Sequence, residues 1–247
     1  MARRTSRGPS RRRLLRHVCA LLACLGALLP AEASARARRP VVVVELFTAQ
    51  GCAACPDANL RLAALAEQDG VLLLTWSVDY WDYLGWRDTL ARPEAADRQR
   101  AYVRRLALRR PSTPQVIVAG AETADGRNLE QLTAVVENAP VGGVDLRLAA
   151  DGSRVWVGSG RASRGGGDVW LIRYEPEPEA VRVADGENRG REVRVVNAVR
   201  SVERLGAWNG RPAVWRLPPG DEALRTAVLL QEANGGRVLG AVAEPEP

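Results

Sequence analysis

The sequence contains no lysine; all 35 of its cationic side chains are arginine. It has one histidine (His17), one methionine (Met1), one phenylalanine (Phe47) and four cysteines. His17, Cys19 and Cys24 lie in an N-terminal leader. Past that leader there is no material for a Ser-His-Asp triad, a Cys-His pair, a Schiff-base lysine or a histidine metal site. Chemistry by the chain's own side chains is left to two thiols, Cys52 and Cys55, or to carboxylates. A closed zinc site on the two cysteines would need carboxylates to complete it, an unusual set for structural zinc. Neither a metal nor a cofactor is therefore expected. Beyond the leader no apolar run is long enough to span a bilayer.

The leader reads as a secretory signal over residues 1–35. Seven arginines fall within the first seventeen residues, with no acid among them. Val18–Leu29 is an apolar run too short to cross a membrane, and Ala33-Ser34-Ala35 offers a small-residue cleavage site. Ser10-Arg11-Arg12-Arg13-Leu14-Leu15-Arg16 resembles a twin-arginine export signal. Leu21-Leu22-Ala23-Cys24 loosely resembles a lipoprotein box, but the apolar run continues past Cys24, which argues against a lipid anchor. A periplasmic or secreted protein is expected, with no stable membrane span after cleavage.

Cleavage also changes the charge. The whole chain carries +6. Residues 1–35 hold seven arginines and one glutamate, so their removal leaves 28 of each sign. The basic character belongs mainly to the leader and makes no case for nucleic acid.

The remaining chain is organised around Val41-Val42-Val43-Val44-Glu45-Leu46-Phe47-Thr48-Ala49-Gln50-Gly51-Cys52-Ala53-Ala54-Cys55-Pro56. A β-branched run ends at a Gly turn, two cysteines follow at C-x-x-C spacing, and a helical pattern begins. This puts Cys52 at or near a helix N-terminus, where free N–H groups and the dipole favour a thiolate. Cys55 lies one turn further in, placed to resolve a mixed disulfide.

Around it, residues 40–140 alternate strand and helix patterns. Strands are expected at Val41–Leu46, Val71–Val78 and Gln115–Val118. Helices are expected at Asp57–Ala66, Pro93–Leu108 and Leu129–Val136. Trp76-Ser77-Val78-Asp79-Tyr80-Trp81-Asp82-Tyr83-Leu84-Gly85-Trp86-Arg87-Asp88 leaves the second strand with five of the chain's twelve aromatics. Tyr80, Trp81 and Trp86 could wall a substrate, with Asp79 or Asp82 relaying protons; a hydrophobic cluster under a long loop is the plainer reading. Thr113-Pro114 directly precedes the third strand, an X-Pro position open to a cis bond.

Glu45-Leu46-Phe47-Thr48, Gly51-Cys52, Cys55-Pro56, Val78–Trp86 and Thr113-Pro114-Gln115 together resemble a secreted thioredoxin-like family known only as domain of unknown function 1223. Gly186-Glu187-Asn188-Arg189-Gly190-Arg191 and Asn197-Ala198-Val199-Arg200 extend the resemblance over most of the mature chain. It implies an α/β thioredoxin-like domain followed by a β-rich domain. It also implies a cis Pro114 facing the C-x-x-C, with the Thr113 backbone available to an incoming peptide. Members of that family often carry serine between the cysteines; here the pair is Ala53-Ala54. With no histidine near Cys52, and Asp57 opposing a thiolate, a moderate redox potential is expected.

Residues 141–247 show short runs separated by Gly, Asp and Pro: Val144–Ala149, Arg154–Ser159, Val169–Tyr174, Val181–Ala184, Glu192–Leu205 (one strand or two), Ala213–Arg216, Thr226–Gln231 and Arg237–Val242. Seven or more such strands suggest an antiparallel, sandwich-like all-β domain. The turn at Gly186–Arg191 could bind an anion, dock on the first region, or simply carry solvated charges.

Two functional readings stand out. The first is an exported thiol–disulfide oxidoreductase. Cys52 and Cys55 exchange with envelope protein thiols or disulfides or small thiols, Thr113 and Pro114 position the partner, and an external redox partner closes the cycle. The second is a non-enzymatic secreted binding module, in which Cys52–Cys55 is structural and the aromatic loop holds a ligand. A hydrolase using Asp79 and Asp82 lacks a defined cleft in the sequence.

Overall fold

The structure, a computed structural model, describes residues 41–244. The leader expected over residues 1–35 lies outside them. The β-branched run forms β1 (Val42–Thr48), buried along almost its whole length. Helix α1 (Cys55–Ala66) follows, with Pro56 in its first turn, where a missing N–H costs nothing. Strand β2 (Val71–Ser77) and helix α2 (Pro93–Arg105) come next, and α2 ends where Ala107 turns left-handed at φ 52°. Strands β3 (Gln115–Val118) and β4 (Glu122–Ala124) make a hairpin before α3 (Leu129–Glu137). Asn128 caps α3 by accepting from the Gln131 N–H at 3.0 Å.

The second half is all strand: β5 (Leu146–Leu148), β6 (Arg154–Val157), β7 (Gly167–Glu175), β8 (Glu179–Arg182), β9 (Glu192–Val195), β10 (Ala198–Trp208), β11 (Ala213–Arg216), β12 (Arg225–Glu232) and β13 (Val238–Ala243). Each lies within a few residues of a run marked in the sequence.

The halves meet in a single mixed eight-stranded sheet, in the order β13-β12-β7-β10-β2-β1-β3-β4. The expected fold, a helix-rich α/β thioredoxin-like domain followed by an all-β sandwich, does not hold. The described residues are mostly β, with three short helices, and the long sheet runs through both regions. The reason is an edge. With β3 and β4 beyond β1, strand β2 would present a row of unpaired amides. Strand β10 covers that edge in parallel, pairing Ala198 with Thr75. The Thr75 N–H donates to Asn197 O at 3.0 Å, and the Asn197 side chain donates to Leu73 O at 3.0 Å.

Three layers cover the sheet. Helices α1 and α3 bury Leu62, Leu65, Leu132 and Val136 against Val44, Leu46, Val116 and Val118. On the opposite face, α2 buries Ala95, Ala96 and Tyr102 against Phe47, Leu74 and Ile117, and also against Ile172, Ala227 and Leu229 of the second half. The small sheet β11-β6-β5 packs Leu146, Val155 and Val157 onto Val169, Leu171, Val228 and Leu230.

Helix α2 also carries a charge into the interior. Arg98 Nη2 donates to Glu45 Oε2 of β1 at 3.0 Å and to the Tyr102 hydroxyl at 3.0 Å; Nη1 donates to Gln231 Oε1 of β12 at 3.2 Å. The Tyr102 hydroxyl donates to Glu45, and Gln231 Nε2 donates to Tyr102 at 2.9 Å. The guanidinium lies 5.1 Å from the Trp76 ring centroid and 5.9 Å from that of Trp170. Burial is the largest single influence and works against its charge, but the Glu45 carboxylate and the Tyr102 hydroxyl together hold Arg98 above its usual range.

Candidate functional site

Three chain segments leave the same end of the sheet. Thr48 closes β1 beside Ser77 closing β2, and Phe47 pairs with Gln115 at the start of β3. The C-x-x-C loop, the aromatic segment and Thr113-Pro114 therefore share one sheet end. The Thr113–Pro114 bond is cis.

The C-x-x-C loop is a pair of tight turns. The Cys52 N–H donates to Ala49 O at 3.2 Å, and the Cys55 N–H donates to Cys52 O at 3.1 Å. The helix begins at Cys55, and Ala54 at its cap makes no side-chain capping bond. Cys52 thus precedes the first helical turn. The two cysteines form a disulfide with a Cα–Cα separation of 5.4 Å. Cys52 is 2% exposed and Cys55 0%. A dithiol site needs an exposed attacking sulfur; Cys52 instead belongs to the core cluster around Phe47 and Trp76.

Much of the cover comes from the turn between β8 and β9. Asn188, fully buried, donates from Nδ2 to Gln50 O and to Cys52 O, both at 2.8 Å. Glu187 accepts from the Ala53 N–H at 3.2 Å, and Arg191 Nη1 reaches Ala53 O at 3.5 Å and Asn188 Oδ1 at 3.2 Å. Arg191 also approaches Asp57 at 3.7 Å. The backbone polar groups of the C-x-x-C loop are largely satisfied by one turn more than 130 residues downstream. Of the roles open in the sequence, docking is the one seen.

Gln50 ties the loop to the aromatic segment. Its N–H donates to Asp88 Oδ2 at 2.6 Å, its Nε2 donates to Thr89 Oγ1 at 3.0 Å, and its Oε1 accepts from Trp86 Nε1 at 2.8 Å. Asp88 is buried and also accepts from the Leu90 N–H at 2.9 Å. Burial pushes its carboxyl up, against the pull of those backbone donors. Trp81 donates its indole N–H to Thr113 Oγ1 at 2.6 Å, and its Cβ lies 3.4 Å from where a side chain on Gly51 would begin. Trp81 therefore spans from the residue before Cys52 to the residue before Pro114. Tyr80 packs on the same core, and burial raises its hydroxyl's pKa.

With Asp88, Thr89, Arg87 and Arg92, Asp79 and Asp82 line an open cleft of about 510 Å³. Asp82 Oδ1 is engaged by the Asp88 N–H at 3.0 Å. The structure thus brings Cys52, Cys55, Trp81 and Thr113 together with Pro114, draws in Trp86 through Gln50, packs Tyr80 nearby, and sets Asp79 and Asp82 in a cleft they share with Asp88 and Thr89, the partners of Gln50.

Gln50, Asp88, Glu187 and Asn188 are site residues that sequence reasoning passed over. Gln50 and Asp88 lie inside marked segments, but a polar residue in a loop carries no sign of burial. Glu187 and Asn188 lie in a marked turn, yet nothing in one sequence pairs that turn with Cys52.

Fold and site together define a mostly β protein with a buried C-x-x-C disulfide at one end of a mixed sheet. Residues 43–231 match the family described as a protein of unknown function (DUF1223), and the chain belongs to that family. It is also similar to a protein from Agrobacterium tumefaciens solved by X-ray crystallography. That structure is 30% identical, with a TM-score of 0.66, over 85% of this chain and 99% of the other. No curated protein matches.

Proposed function

We propose that the protein is an exported thiol–disulfide oxidoreductase of the cell envelope, periplasmic or secreted, acting through Cys52 and Cys55. The observation that carries this reading is the placement of the pair. The disulfide precedes α1 and closes a loop of only two intervening residues, at the sheet end shared with Trp81 and Thr113–Pro114. So short a loop constrains the unfolded chain weakly, which makes the bridge a poor staple and suits it to exchange. The leader over residues 1–35 supports export. Cys52 is the sulfur that exchanges, Cys55 the one that resolves, and the electrons pass to or from envelope thiols or disulfides and an external redox partner.

The burial of both cysteines favours a second reading, a binding module with a structural Cys52–Cys55 bridge whose ligand sits at the aromatic segment. Equilibration of the protein in dithiothreitol or glutathione buffers, with free thiols counted after alkylation, separates the two. A potential within the range of catalytic dithiols, about −120 to −270 mV, supports exchange; one below about −300 mV supports a structural bridge.

A further inference from the structure

We infer that the turn Gly186–Arg191 makes the Cys52–Cys55 disulfide selective for small thiols over peptide thiols, with Asn188 and Glu187 as the residues that set this selectivity. The inference rests on the exchange reading and narrows its substrate class.

A peptide substrate reaches a disulfide along an extended segment and pairs with backbone groups beside the reacting sulfur. Here those groups are already bonded within the chain. Asn188 takes Gln50 O and Cys52 O, Glu187 takes the Ala53 N–H, and Arg191 reaches Ala53 O. The turn thus fills the hydrogen-bonding positions beside Cys52 that a peptide would need. With Cys52 2% exposed and Cys55 0%, Cys52 is the less sealed of the two. A small thiol needs a local shift to reach it; a peptide must displace the turn. Asn188 anchors the turn from a fully buried position, and Glu187 holds its exposed side.

The reaction balances with a small dithiol as reductant. One thiolate of the dithiol attacks the Cys52 sulfur, the Cys52–Cys55 bond breaks, and Cys55 leaves as a thiolate that takes a proton from water. The second thiol of the dithiol, deprotonated, then attacks the mixed disulfide and releases Cys52 as a thiolate that is protonated in turn. The dithiol is oxidised to its disulfide and the protein is reduced by two electrons.

The test compares forward reduction rates of the oxidised protein by excess dithiothreitol and by a ten-residue peptide bearing a C-x-x-C dithiol, at equal thiolate concentration. Breaking two buried hydrogen bonds to open the turn gives a wild-type preference for dithiothreitol on the order of a hundredfold. In Asn188→Ala that preference falls to less than about tenfold, through a gain with the peptide. Glu187→Ala, at an exposed position, shifts the preference in the same direction and decides the matter if Asn188→Ala does not fold. Equal wild-type rates with both reductants, or a preference unchanged in the folded variants, overturns the inference. A potential too negative for exchange removes the proposed function and leaves this ratio of forward rates measurable, so the two failures are distinct.

Discussion

Asn188 donates from one amide nitrogen to the carbonyl oxygens of Gln50 and Cys52, each at 2.8 Å, and is itself fully buried. The residue that anchors the C-x-x-C loop therefore lies 136 positions downstream of Cys52. Asn188→Ala leaves two carbonyls without a donor where water reaches poorly. We expect a loss of about 1–3 kcal/mol in chemical denaturation. Asn188→Asp turns a carboxylate toward two carbonyl oxygens and should cost more at neutral pH than the alanine does.

Glu45 and Arg98 tie β1 to α2 inside the core, and Gln231 extends the tie to β12. Removing one charge of a buried pair strands the other. Glu45→Gln should cost about 3–5 kcal/mol in urea unfolding. Glu45→Gln combined with Arg98→Met should recover a large part of that loss, because neither charge then stays buried alone.

Asp88 gives the fold a pH dependence of defined sign. Burial raises its carboxyl above the usual range. The folded state thus keeps the proton to higher pH than the unfolded chain does. The group's contribution falls as pH rises from the ordinary aspartate value to the raised one, and is constant above it. Asp88→Asn lacks that decline. Denaturation midpoints taken across the acid range should show a shallower fall with rising pH in the variant than in the wild type.

The indole N–H of Trp81 and the hydroxyl of Thr113, 2.6 Å apart, join the aromatic segment to the chain entering β3. Trp81→Phe and Thr113→Val should each cost about 1 kcal/mol for the lost hydrogen bond, beyond any change in packing. A double-mutant cycle should return a coupling of about 0.5–1.5 kcal/mol, since each variant breaks the same bond.

Local structure was legible in the sequence because apolar periodicity reports which face of an element is buried. Gln115–Val118 and Ala213–Arg216 form strands over the spans expected, and Pro93 opens α2 as its chemistry requires. The run at Glu192–Leu205, open in the sequence to one strand or two, is two strands, broken at Asn197, which takes φ 49°. The overall fold was not legible, because periodicity says nothing about sheet edges. Thr75 and Ala198 carry no mark of being partners, yet their pairing merges what the pattern separates. Helix α2 likewise reads as one apolar stripe, whereas Ala95, Ala96 and Tyr102 pack in a core fed by both halves. The placement of the cysteines after β1 and of Pro114 before β3 was legible from spacing and position. The ties of the loop to Asn188 and Glu187 were not, since those residues arrive more than 130 positions downstream.

The reduction potential of the Cys52–Cys55 pair tests the account most directly. The mature protein would be poised in thiol buffers of known ratio and its free thiols trapped and counted by mass. Exchange chemistry predicts a potential between about −120 and −270 mV. A value below about −300 mV would contradict it and leave the disulfide a structural bridge beneath the aromatic segment.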